Sequence, residues 1–233
     1  MTKITLTFLL TLISLANCFA QELIKRTRKI TPEVTEKYTA VIGTDREIKQ
    51  GLYQALYNKK IPIAVGKYTD DKKTGTWQFF NKYGQPIQRY NYDTNTLQLE
   101  TKEDEFSNMR YEFDVDFKEA DFVTKPVKPG GRYYGYLPYL KCFTLPREMR
   151  EADLDAYYVE MELLISPGGR LAEFKFHIKT PWDDDFDWVI NVSPNRLFED
   201  DKKFIPATLN REPISSQITI HCYFTDSQTI DIK

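Results

Sequence analysis

An internal repeat of 24 residues constrains this chain more than any other feature of its sequence. Setting Gly51-Leu52-Tyr53 over Gly75-Thr76-Trp77 also superposes Pro62-Ile63 on Pro86-Ile87 and Tyr68 on Tyr92, with no gaps. A unit this short cannot bury its own apolar face, so its stability must come from stacking on the next unit. Aromatic and polar residues alternate within the units, as in Thr76-Trp77-Gln78-Phe79 and Arg89-Tyr90-Asn91-Tyr92. Turn formers cluster at Thr69-Asp70-Asp71-Lys72-Lys73-Thr74-Gly75 and at Asn81-Lys82-Tyr83-Gly84. Alternation of period two between such clusters predicts antiparallel hairpins joined into a ribbon-like sheet.

The segments Gly66-Lys67-Tyr68 and Lys73-Thr74-Gly75-Thr76-Trp77, following a Gly-x-aromatic start, resemble the MORN-like repeat over residues 36–98. That resemblance implies stacked hairpins whose aromatics form the repeat's own core. Residues 99–127 change character. The charged run 100–105 reads as a solvated loop, and residues 111–117 alternate strictly, as one more strand would. The turn-rich Lys125-Pro126-Val127-Lys128-Pro129-Gly130-Gly131 is the expected boundary between two domains.

Beyond it, residues 158–166 and 171–178 alternate on either side of Pro167-Gly168-Gly169, a β-hairpin pattern. Asp183, Asp184, Asp185 and Asp187 read as an acidic loop. Residues 186–197 could be helical only in part because of Pro194. A last strand spans 216–224 with Ile218, Ile220 and Cys222 on one face. The expected class is α+β: a small antiparallel sheet with helical cover at the C-terminal end, preceded by a β-hairpin repeat ribbon.

Residues 128–226 resemble the TonB C-terminal domain family through Pro129-Gly130-Gly131, Leu145-Pro146-Arg147-Glu148-Met149-Arg150, the turn at Gly168-Gly169, and Phe204-Ile205-Pro206-Ala207-Thr208-Leu209-Asn210-Arg211-Glu212-Pro213-Ile214, in the family's order. The chain departs from the family pattern at Leu145, Met149, Phe204 and Arg211. Trp182-Asp183-Asp184-Asp185-Phe186-Asp187 stands where the family has a helix. The resemblance implies recognition by strand addition, with the last strand, Gln217, Ile218, Thr219, Ile220, His221, Cys222, Tyr223 and Phe224, as the edge and residues 227–233 as a tail. The same strand could instead be internal or capped by that tail. A transducing TonB has an uncleaved membrane helix and a long Pro- and Lys-rich spacer, so the resemblance carries no expectation of energy coupling.

Lys3, the apolar run 4–16 and the small-residue site before Gln21 predict a signal peptide over residues 1–20. The alternative is a lipobox at Leu15-Ala16-Asn17-Cys18 that would leave Cys18 acylated, although Asn17 fits that site poorly. The run is too short for a permanent span, and the expected location is periplasmic or secreted, with no transmembrane segment in the mature chain. Cleavage would leave 31 Lys and Arg against 34 Asp and Glu, a balance that does not attract nucleic acid. Cys142 and Cys222 then either bridge or sit as two buried small hydrophobes.

His177 and His221 fall in predicted strands, without the His/Cys cluster that zinc needs, and the aspartates lack calcium-loop spacing. Phosphate-cradling glycine loops, nucleophile elbows and H-E-x-x-H are absent. The sequence therefore reads as a non-catalytic protein-interaction module of the cell envelope, with no cofactor and a protein partner. One alternative is a glycan- or cell-wall-binding module using Tyr53, Trp77, Tyr90, Tyr133, Tyr134 and Tyr136 as exposed platforms. Another is a hydrolase with an unrecognised acid pair.

Overall fold

The alternating N-terminal half forms an antiparallel meander. In the computed structural model, which describes residues 22–103 and 107–232, seven strands lie side by side in chain order. They are β1 (Ile24–Lys29), β2 (Val34–Ile42), β3 (Glu47–Tyr57), β4 (Ile61–Thr69), β5 (Lys72–Phe80), β6 (Pro86–Asn91) and β7 (Thr96–Glu100). Asn58 and Lys59, in the three-residue turn after β3, and Asp70 and Asp71, in the two-residue turn after β4, take positive φ. Asn and Asp tolerate that conformation, and its twist matches that of the flanking strands. The turn at residues 69–75 is tighter than the sequence suggested: only Asp70 and Asp71 turn, and strand resumes at Lys72.

The 24-residue shift is visible in the backbone. Gly51 and Gly75 both have positive φ, Gly51 lies opposite Tyr68, and the Tyr92 N–H donates to the Gly75 carbonyl at 2.9 Å. Between the two units Trp77 is fully buried, its ring lying across Gly66, where a methyl group would sit 2.1 Å from it. A glycine inside a strand marks such a close approach. Tyr53, Tyr68, Phe79 and Tyr92 surround the indole with ring centroids 5.2–6.1 Å away.

The C-terminal half builds a second antiparallel sheet. Its elements are β8 (Met109–Phe113), β9 (Val123–Thr124), α1 (Leu137–Leu140), β10 (Tyr158–Ile165), β11 (Leu171–Thr180), β12 (Asp183–Asn191), β13 (Ala207–Leu209), β14 (Glu212–Ile214), β15 (Ser216–Phe224) and β16 (Ile230–Ile232). The sheet order is β12-β11-β10-β15-β16, with β8 also on β15, while β14, β13 and β9 form a third, small sheet. The expected hairpin is β10–β11, and the expected last strand is β15.

Three expectations are corrected. The acidic loop is the edge strand β12, where solvent on one side and the His177–Asp187 contact at 2.9 Å on the other accommodate the charges. The tail is a strand, since β16 pairs with β15 and buries Ile230 and Ile232. Helical cover shrinks to the single turn of α1 and short 3-10 turns; Pro146 disfavours helical backbone at Leu145 soon after α1 ends.

The connector is also no free linker. Buried Gln88 on β6 accepts from the Gly130 and Gly131 N–H groups at 2.8 and 2.9 Å and donates to the Lys128 carbonyl at 3.0 Å. A side chain at Gly131 would meet Phe79 at 2.9 Å, so only glycine lets this segment lie on the first sheet. One hydrophobic cluster runs from Val34, Ile63 and Phe79 through Tyr136 and Tyr139 to Met161, Phe176 and Ile220. The two expected domains thus share a core. Among the described residues no helix is long and apolar enough to cross a membrane. The expected signal peptide, with Cys18, lies outside the described residues.

Candidate functional site

One face of the first sheet changes character along its strands. Period two puts Glu36 on β2, Lys49 and Tyr53 on β3, Tyr68 on β4, Lys73 and Trp77 on β5, and Tyr90 on β6, with Tyr92 just past the end of β6. Toward one end this face is core, at Ala55, Ala64 and Phe79. Toward the other it opens into a cleft of about 760 Å³. The opposite wall comes from Tyr134, Pro138, Lys141 and Cys142 around α1 and from residues 196–201.

Charge sets this cleft apart from the rest of the molecule. Seven Lys and Arg side chains line it against four Asp and Glu, three positive charges in excess on a chain of net charge −2. Part of the excess is internally matched. Glu36, 2% exposed, binds Arg28 Nε at 2.6 Å and Lys49 Nζ at 2.8 Å. Burial pushes the Glu36 carboxyl pKa up, but hydrogen bonding and charge from Lys49, with Arg28, outweigh it and hold the group below the usual range. The Lys49 ammonium also sits 4.6–5.1 Å from the rings of Tyr38, Tyr53 and Tyr68.

Lys203 pairs with Asp200 at 2.7 Å, whereas among the described residues Lys73, Lys141 and Arg196 stay unmatched. Lys73 Nζ lies 5.2–5.6 Å from the rings of Trp77, Tyr92 and Tyr134. Arg196 donates to the Cys142 carbonyl at 3.1 Å. Among the described residues neither these two nor Lys141 has a carboxylate within ion-pair distance. Asp201 also lines the cleft, its carboxyl pushed up by burial although Lys128, Lys73 and Lys141 draw it down. Hydroxyls complete the lining: Tyr134 donates to Tyr53 at 2.9 Å, and the buried Tyr92 hydroxyl has no hydrogen-bond partner among the described residues. At the rim Phe198 is 84% exposed.

The sequence-expected sites fall elsewhere. Gln217, Ile218, Thr219, Ile220, His221, Cys222, Tyr223 and Phe224 lie inside the sheet. β10 covers one side of β15; β8 covers Ser216–Ile220 and β16 covers Cys222–Phe224 on the other. A partner strand cannot add where both ladders are filled, so the edge assignment is corrected. Cys142 and Cys222 are buried free thiols. Their pKa values are raised by burial, and they contact the carbonyls of Pro138 and Ile220 respectively. Tyr53, Trp77, Tyr90, Tyr133 and Tyr136 are buried and Tyr134 is half-buried, so these six do not form an exposed platform. His177 contacts Asp187, and His221 packs on the Tyr158 ring. Among the described residues no group of three or more His, Cys, Asp and Glu gathers as metal ligands do.

Sequence reading missed Lys49, Lys73, Lys141, Arg196 and Phe198. A signal existed for Lys73, because alternation in Lys73-Thr74-Gly75-Thr76-Trp77 puts lysine on the tryptophan face. Comparison with protein families, curated proteins and solved structures finds no match to this chain.

Proposed function

We propose that the chain is a non-catalytic binding protein of the cell envelope that holds an anionic ligand in this cleft. The observation that carries the reading is the trio Lys73, Lys141 and Arg196, cations without carboxylate partners in a concavity already in positive excess. Like charges gathered in one cleft repel each other, and an anion bound there removes that cost while gaining charge-assisted hydrogen bonds. The volume lies in the range of small-molecule pockets. The envelope location rests on the pattern of residues 1–20.

Citrate and pyrophosphate, each titrated against the purified chain at low salt, should raise the melting temperature by roughly 5–10 °C at a hundredfold excess over Kd. Salt should weaken the effect. The double variant Lys73→Glu, Lys141→Glu should lose it. Equal stabilisation of wild type and variant would sink the proposal, as would stabilisation by spermine but by neither anion.

A further inference from the structure

Resting on that anion-binding reading, we infer that the ligand is an acidic saccharide, a sugar carrying a carboxylate or phosphate. Three properties of the lining converge on this class. The unpaired Lys73, Lys141 and Arg196 match the anionic group. The hydroxyls of Tyr53, Tyr68, Tyr92 and Tyr134, with Asp200 and Asp201, offer donors and acceptors suited to a ligand rich in hydroxyls. The Tyr92 hydroxyl is the clearest case, a buried polar group on a lining residue that finds no hydrogen-bond partner among the described residues. At the rim, Phe198 exposes an aromatic ring of the kind on which the apolar C–H face of a pyranose packs.

A peptide fits this geometry less well. The first sheet presents side chains on its face here, with strands β2 to β6 paired on both sides, so an extended peptide would find no free backbone edge. A nucleotide would use the cations and the ring, but the sequence holds no glycine-rich phosphate loop to go with them.

The test measures binding of trigalacturonate, maltotriose, citrate and AMP to the full chain by calorimetry, in wild type, Arg196→Ala and Phe198→Ala. Both substituted side chains are exposed, so the fold should persist, with the melting temperature as control. Trigalacturonate should bind at least about tenfold more tightly than the other three. Arg196→Ala should weaken trigalacturonate and citrate alike by about tenfold, the worth of a charged hydrogen bond. Phe198→Ala should weaken trigalacturonate by about three- to tenfold and leave citrate unchanged. If citrate binds as tightly as trigalacturonate, or Phe198→Ala leaves trigalacturonate unchanged, the saccharide inference falls and anion binding stands. Tighter binding of AMP also overturns it, in favour of a nucleotide. If neither trigalacturonate nor citrate binds, or maltotriose binds as well as its acidic counterpart, both readings fall together.

Discussion

Lys128 stands at the foot of the shared core with its ammonium out of water. It donates to the carbonyls of Asp201 and Lys203 and lies 4.6 Å from the Phe204 ring centroid. Burial lowers its pKa to about 7; Asp201 and Asp200 oppose that shift, and Lys73 and Lys203 reinforce it. Because the folded value lies below the unfolded one, the unfolded chain carries the extra proton between about pH 7 and 10. Stability from this group therefore rises with pH across that window, and its cost is fully present below pH 7. Denaturant titrations from pH 6 to 10 should show wild type gaining on Lys128→Met by on the order of 4 kcal/mol. Parallel curves would show that this lysine stays charged. The same scale explains the Gly-x-Tyr signature: Gly66 is required because Trp77 occupies the space a side chain would take.

At the scale of elements, β15 is the strand around which the second sheet is organised. Its last eight residues were the expected binding edge, yet two short strands, β8 and β16, together close the side that β10 leaves open. Ile230, Asp231 and Ile232 of β16 are all buried. Removing residues 228–233 should thus cost the burial of two isoleucines, roughly 3–6 kcal/mol, and free the ladder groups of Cys222–Phe224. An open edge in the middle of a sheet invites pairing between chains. Sedimentation should find the truncated chain associating with concentration while the full chain does not. A truncated chain that stays monomeric and equally stable would show that β16 contributes little to closing the sheet.

For the whole molecule the decisive contact joins residues far apart in sequence. Lys82, in the turn after β5, binds Asp231 of β16 at 2.8 Å and also the Ile232 carbonyl, enclosed by Tyr57, Tyr133 and Tyr223. Asp231 is 3% exposed, so breaking this pair strands a buried charge. Lys82→Met alone should cost about 3 kcal/mol or more, and the double variant Lys82→Met, Asp231→Leu should recover most of that loss. With Gln88 holding Gly130 and Gly131 and one core running through both sheets, unfolding should be a single transition. Tryptophan fluorescence and backbone circular dichroism that separate into two transitions would show the halves to be independent.

Local patterns in the chain were enough to specify the hairpin meander, the shared geometry of Gly51 and Gly75, the β10–β11 hairpin and the bounds of β15. Each of these depends on alternation, turn chemistry or a steric demand within a few tens of residues. Whether β15 was an edge depended on segments such as β8, more than a hundred residues away in the chain. The connector was misread for a similar reason: a Pro-Gly-Gly segment looks like a free linker until Gln88 and Phe79 are seen against it. The cleft was hardest to read. Its unmatched cations, Lys73, Lys141 and Arg196, come from three separate stretches, and only folding brings them to one surface. The sequence by itself determined which strands form and which of their faces are apolar, because backbone sterics and side-chain periodicity act locally. Only the tertiary structure decided which edges are closed, where one core replaces two, and where unmatched positive charge collects, because those are sums over residues the chain order keeps apart.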